Sequence, residues 1–204
     1  MKTSFEKIGK VEFPEFQGII INMMPFIIGD NKSIPEEYRH YSYMIDKCVV
    51  PKKELGKTGY ISITETLVEP NMSQRRGGIH TEKHPNKSWG GDGGGGWGGR
   101  TGLFMASNVD KSCMVWNKHI EVPGEMGDCE HLRESLGQGI VLDSGDLVWM
   151  TDGCPHESLP FGGGKRQWFR FVTSEVSVWY KKHSTENRLG VKPNCKIING
   201  NKFN

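Results

Sequence analysis

The sequence predicts a mainly β domain, of the sandwich, jelly-roll or barrel kind. Two observations carry this expectation. Past residue 58 the chain breaks into short β-branched or aromatic runs separated by Gly, Pro, Asn or Asp, and no long helical period lies between them. Its 204 residues, with 35% hydrophobic and 25% charged side chains, suit one domain that buries a core. We therefore read 1–204 as a single domain, with a β core over 60–180, an N-terminal strand and helix extension over 1–59, and a polar tail over 187–204.

Residues 1–16 are mixed in character and read as a loose arm. Gln17 to Met24 reads as a buried strand. Ser33-Ile34-Pro35-Glu36 fits a capping box with proline in the first turn. Ile34, Tyr38, Tyr41, Ile45 and Cys48 then trace one apolar helical stripe that ends before Pro51. The strands that follow are expected at Tyr60–Val68, Gly77–Glu82, Gly102–Asn108, Cys113–Ile120, Gly139–Leu142, Asp146–Thr151, Pro155–Pro160 and Arg166–Val178. A turn or two of helix is expected near Cys129–Leu136. Glycine is the compositional outlier, at 27 residues. Its cluster at 90–99 reads as an insertion between strands, or as an active-site lid with Trp97 as its apolar contact. Arg100-Thr101 follows that cluster where a phosphate loop needs Gly-Lys-Ser/Thr.

Charge and composition narrow the function classes. Net charge is +2, and basic residues cluster only as pairs such as Lys52-Lys53 and Arg75-Arg76, so no phosphate-tracking stripe forms and nucleic-acid binding is not expected. The longest apolar run, Gly18 to Gly29, is broken by Asn22 and Pro25, so no membrane partner is expected. The five cysteines have no C-x-x-C spacing, and the first residues carry no apolar signal run. A reduced, cytoplasmic protein is the expectation.

The strongest local signal is Gly145-Asp146-Leu147-Val148-Trp149-Met150-Thr151-Asp152-Gly153-Cys154-Pro155-His156. A tight turn, an apolar strand, a second turn and a histidine opening the next strand deliver an imidazole to the mouth of a barrel. This stretch resembles the second cupin motif, G-x5-P-x-G-x2-H, with Thr151 where the proline usually stands. It is also similar to the sixth and seventh core strands of the Fe(II)/2-oxoglutarate oxygenases, which share the double-stranded β-helix. The resemblance implies a cupin-like double-stranded β-helix (jelly roll) with a few flanking helices, covering about residues 60–180.

A catalytic metal needs further ligands, and two histidines with one carboxylate on one face suit non-haem Fe(II). His80-Thr81-Glu82 offers an imidazole and a carboxylate that alternate to one side of a strand. His119-Ile120-Glu121 is a second pair of the same form, so the pattern alone does not choose. In the resembled oxygenases the pair closes core strand two, which favours His80, Glu82 and His156, with His84 and His119 as alternative ligands. There an arginine on strand eight grips the far carboxylate of 2-oxoglutarate. Arg166 and Arg170 follow His156 by ten and fourteen residues and alternate with Trp168 and Val172 on one face. Tyr60, Thr64, Trp97 and Trp168 are candidate pocket walls. Cys129-Glu130-His131 with Cys154-Pro155-His156 leaves a structural zinc site as a rival use of His156.

The resemblance thus implies an Fe(II)-dependent dioxygenase that uses 2-oxoglutarate and O2 to hydroxylate a small molecule or a side chain. A cupin metal enzyme without 2-oxoglutarate, either dioxygenase or isomerase, and a non-enzymatic jelly-roll binding module are the alternatives.

Overall fold

The structure, a computed structural model, describes residues 3–83 and 96–202. His84 and the first part of the glycine cluster, 90–95, lie outside the described residues. The chain is mainly β. Six strands form one antiparallel sheet: β1 (Phe5–Lys10), β2 (Ile20–Ile27), β3 (Thr58–Val68), β4 (Leu103–Ser107), β7 (Asp146–Met150) and β9 (Gly164–Val172), in the order β1-β7-β4-β9-β3-β2. Three short strands, β5 (Cys113–Val115), β6 (Ile140–Val141) and β8 (His156–Ser158), form a second sheet in the order β6-β5-β8. His80 extends that sheet by pairing antiparallel with His156 on one side and Asp128 on the other.

The period of two sorts side chains onto the two faces of the large sheet. Tyr60, Met105, Val148, Trp168 and Val172 share a core with Val115 of the small sheet and with Cys154, so the two sheets pack face to face. Ile61, Ile63, Phe104, Leu147, Phe169 and Phe171 point the other way and bury the apolar stripe of the helical segment, including Ile34, Tyr41, Ile45 and Cys48. The long β3–β9 ladder runs without a slip from Tyr60↔Val172 to Val68↔Gly164. It fixes which β9 side chains look between the sheets: Arg166, Trp168 and Arg170. The Gly145-Asp146 turn forms as expected. Gly145 has φ +76°, and a Cβ there would meet Val11 O at 2.5 Å.

Several expectations are corrected. The first residues are not a loose arm, because β1 pairs antiparallel with β7 (Phe5↔Met150) and buries Phe5. The helical stripe is right in its buried positions but begins as a 3-10 segment (Glu36–Tyr41) before a single α-helix, α1 (Ser42–Lys47). The capping box does not form: Ser33 Oγ donates to Asp30 O and accepts from Ile27 N, and Pro35 holds the N-cap position. The expected strand Gly77–Glu82 shrinks to the bridge at His80, because its two glycines lead in with Gly78 at positive φ. The run from Cys113 stops at Val115, where Lys118 N donates to Trp116 O and bends the chain away. The turn or two of helix expected near Cys129–Leu136 does form, as a 3-10 turn (Glu130–Leu132) running into α2 (Arg133–Leu136).

The chain from 173 onward also departs from expectation. The β9 run ends at Val172, and β10 (Val178–Tyr180) is a separate strand. The polar tail contributes β11 (Lys196–Ile198), which pairs in parallel with β10, while Asn187 is buried and donates to Pro25 O and Ser33 O. Among the described residues no helix is long and apolar enough to cross a membrane.

Candidate functional site

The edge pairing at His80 sets the site. His80 N donates to His156 O at 3.0 Å and His156 N donates to His80 O at 2.9 Å. This puts the two imidazoles side by side, with ring centroids 4.5 Å apart. Each ring is tethered in the same way, to the carbonyl two residues upstream. His80 Nδ1 lies 2.8 Å from Gly78 O and His156 Nδ1 lies 3.0 Å from Cys154 O. A carbonyl only accepts, so each Nδ1 carries the proton and each Nε2 is left with a lone pair. Burial, together with the neighbouring His156, pushes His80 down to about 3, and burial likewise lowers His156. Both rings are neutral at physiological pH, which is the state a metal ligand requires.

Glu82 is buried beside them. Burial alone would raise its pKa, but Arg170 and then Lys202 outweigh that cost and hold the carboxyl well below its usual range. Arg170 Nη1 donates to Glu82 Oε1 at 2.5 Å, and Lys202 Nζ stands 4.0 Å from Oε2. The carboxylate is thus held by a guanidinium. Among the described residues no group of three or more His, Cys, Asp or Glu side chains is disposed to hold a metal ion.

These groups open on a cavity of about 250 Å³ between the sheets, lined by His80, Glu82, His156, Trp97, Trp168, Arg166 and Arg170 among others. Comparison of the chain with protein-family models, curated proteins and solved structures returns no match.

Arg166 is fully buried and is held by neutral groups. It donates to Ser107 Oγ (3.2 Å), Ser158 Oγ (2.8 Å), Ser112 O (3.3 Å) and Cys113 Sγ (3.2 Å). Arg170 divides its contacts between Glu82, Asn22 and Ser62, and its Nε is buried without a hydrogen-bond partner. Gln74 Oε1, also on the cavity wall, is likewise unsatisfied. A buried donor and a buried acceptor left open beside one cavity mark a place where a polar ligand would be welcome.

The remaining sequence candidates divide. Trp97 is 2% exposed, lines the cavity and donates from Nε1 to Val178 O; Trp168 lines it too. Thr64 sits behind the wall, where its Oγ1 accepts from Arg75 Nη1. Tyr60 is drawn off by the tail: its hydroxyl accepts from Asn194 N and reaches Cys195 Sγ. His119 is elsewhere, carried off by the bend after β5 into a separate pocket with Thr151, Trp149 and Glu121. Cys129 and Cys154 are buried free thiols whose Sγ atoms donate to main-chain carbonyls, while the His131 side chain is 56% exposed. They act as small core residues rather than as a zinc site.

Sequence reasoning missed Arg75, His183 and Lys202, which also line the cavity. Arg75 comes from the loop after β3 and stacks on Trp168 at 4.3 Å, while Lys202 arrives from the tail and lies 3.9 Å over Trp97. Arg170 sits between the two rings, 5.0 Å from Trp97 and 5.2 Å from Trp168. Lys202, Trp97, Arg170, Trp168 and Arg75 thus alternate cation and ring across the cavity wall. Burial, then Lys202, Arg75 and Arg170, lowers His183 to about 4, a second sign that the interior is strongly positive.

Proposed function

We propose that this chain is an Fe(II)-dependent oxygenase of the double-stranded β-helix type that consumes 2-oxoglutarate. The observation that carries the reading is the pair of neutral imidazoles, His80 and His156, tethered through Nδ1 and facing a buried, cation-rich cavity. Strand order supports it: β3-β9-β4-β7 in one sheet and the His80 segment-β8-β5-β6 in the other interleave in sequence, as a jelly roll does.

His80 and His156 would hold the metal through Nε2; Glu82, kept ionised by Arg170 and Lys202, would join them only by turning from Arg170, since as they stand the three side chains are not disposed around one ion. Iron bound there with 2-oxoglutarate and O2 would supply the oxidising power to hydroxylate a C–H bond, with succinate and CO2 as the products of the cosubstrate. Arg166 is the residue for the far carboxylate of the cosubstrate. Its guanidinium is fixed by serine hydroxyls and a carbonyl, and no described carboxylate pairs with it, so its charge is available to an anion. Arg170 is less suited to that role because Glu82 occupies it. Trp97 and Trp168 wall the cavity with large buried rings that exclude water.

The test is metal analysis of protein prepared without air, followed by calorimetric titration with 2-oxoglutarate and assay of succinate. Stoichiometric iron and succinate formation, both lost in His156→Ala, are expected. Protein that retains no Fe(II) and binds no 2-oxoglutarate would overturn the assignment. The Glu82–Arg170 ion pair favours one second reading, an anion-binding β module that uses no metal. In that case anions bind equally well with and without iron, and no succinate forms.

A further inference from the structure

We infer that Asn199-Gly200, in the bend between β11 and Lys202, is a self-modification site: the Asn199 amide is lost through a cyclic imide, and the isoaspartate that forms frees the end of the tail from the segment after β10. Neither step needs a metal or a cosubstrate, so the site is independent of the oxygenase reading.

The sequence supplies the reactive pair. Asn199 is the one asparagine of the chain that is followed by glycine. Glycine has no Cβ to crowd a nitrogen that must meet the asparagine side chain, and its backbone is the least restricted of any residue. The structure leaves both partners open. Asn199 is exposed and lies in a bend, just past β11 (Lys196–Ile198). Among the described residues nothing bonds to its carboxamide, and Gly200 N has no acceptor. Other asparagines are held. Asn187 Nδ2 donates to Pro25 O and Ser33 O, Asn31 Nδ2 donates to Asp46, and Asn108 Oδ1 accepts from Gln167 N. Carboxamides fixed in this way are not free to swing onto the next nitrogen.

The step balances without an oxidant or a reductant. Gly200 N attacks Asn199 Cγ, and the new N–Cγ bond closes a five-membered imide. The Cγ–Nδ2 bond breaks, and the Gly200 proton leaves with that nitrogen as ammonia. Water then opens the ring. Addition at the side-chain carbonyl gives aspartate; addition at the main-chain carbonyl gives isoaspartate, whose backbone runs through Cβ and Cγ and is one methylene longer. That extra length falls between two anchors. Lys181 N donates to Ile198 O at 2.9 Å, and Lys182 N donates to Gly200 O at 3.1 Å. These successive donors match acceptors on either side of Asn199, and a longer link puts the second out of register. The Lys182–Gly200 bond is the outer of the two and the one expected to open, two residues ahead of the Lys202 ammonium over Trp97.

The experiment incubates the folded full chain at physiological temperature and mildly alkaline pH and follows the tryptic peptide 197–202 by mass spectrometry. Conversion of Asn199 to aspartate and isoaspartate is expected, faster as pH rises because the attacking nitrogen must shed its proton. Asn201, in the same peptide but followed by lysine, is the internal control and should lag well behind. Gly200→Ala should slow the reaction several-fold and Asn199→Gln should stop it. The fold should accept alanine: Gly200 is not among the glycines at positive φ, and a Cβ there meets only Ile198 Cγ2, at 3.7 Å. A urea-unfolded sample supplies the reference rate. If the folded protein stays unconverted while the unfolded chain reacts, the fold protects the link and the inference is overturned. Equal rates in wild type and Gly200→Ala overturn it as well. Hydrogen exchange reads the structural half: in the aged, isoaspartate-containing protein the Lys182 amide should exchange several-fold faster than in Asn199→Gln aged alongside. Equal exchange would refute the release of the tail.

Discussion

Glu65 is the residue whose removal should most weaken the framework behind the site. It lies on β3, on the face away from the cavity, and is 1% exposed. Its carboxylate accepts four hydrogen bonds: from Tyr41 Oη (2.6 Å), Gln167 Nε2 (2.9 Å), Gln17 N (2.7 Å) and Ile19 N (3.0 Å). Those donors belong to the helical segment, to β9 and to the stretch entering β2, so one side chain ties three parts of the chain to β3. In Glu65→Ala the donors do not all suffer equally. Gln167 Nε2 keeps Pro14 O and the Tyr41 oxygen, and the backbone donors near residue 17 are part-exposed and can recover water. The fully buried Tyr41 hydroxyl cannot. Hydrogen bonds to a charged group contribute about 1.5–3 kcal/mol each but do not add, so the expected loss is about 3–5 kcal/mol, the range for breaking a buried charged network. Urea unfolding is the assay, with the midpoint falling and the slope unchanged. A loss under about 1 kcal/mol would refute the reasoning, since a single neutral hydrogen bond could account for it.

Acid should reproduce part of that loss without mutation. Burial raises Glu65, but Tyr41, Ile19 N and Gln167 outweigh it and lower the folded-state pKa; Glu54 and Asp146 are lowered in the same sense by Ser174 and by Lys7. Stabilisation from these groups is therefore complete above the ordinary carboxylate value of about 4.3 and disappears as pH falls through their lower folded values. The urea midpoint should be level near neutrality and drop below about pH 4, less steeply in Glu65→Gln. Trp97→Ala removes a buried ring that donates to Val178 O and carries Arg170 and Lys202 on its face. It should cost about 3–5 kcal/mol in thermal or urea unfolding. His119→Ala should leave Fe(II) and 2-oxoglutarate binding unchanged by calorimetry, because that ring belongs to the separate pocket with Thr151; a lost metal would return His119 to the ligand set.

The β core was legible because alternation is a local property. Asp146–Met150, His156–Ser158 and the inward row Arg166, Trp168, Arg170 could be read residue by residue, whereas the choice of His80 to go with His156 came from the resembled oxygenases' strand order, and their backbone pairing is seen only in the structure. What escaped was set by distant partners. β1 reads as unpatterned because it lies on a sheet edge, with most of its side chains exposed, and gains its identity only from β7. The capping box failed because Ser33 found a better use bridging Ile27 and Asp30 than capping a helix. Arg75 and Lys202 carry no local signal at all. One is half of a basic pair in a loop, the other a lysine in a polar tail, and only tertiary packing against Trp168 and Trp97 gives them a role. The engagement of Glu82 by Arg170 was likewise invisible, since each residue matches its expected place and only their approach reveals the competition.

The parallel pairing of β11 with β10 ties one wall of the cavity to a sheet that carries neither histidine. Lys202 lies just past β11 and seats over Trp97, so loosening the β10–β11 pair would unseat a cation of the site while leaving the His80–His156 pairing intact.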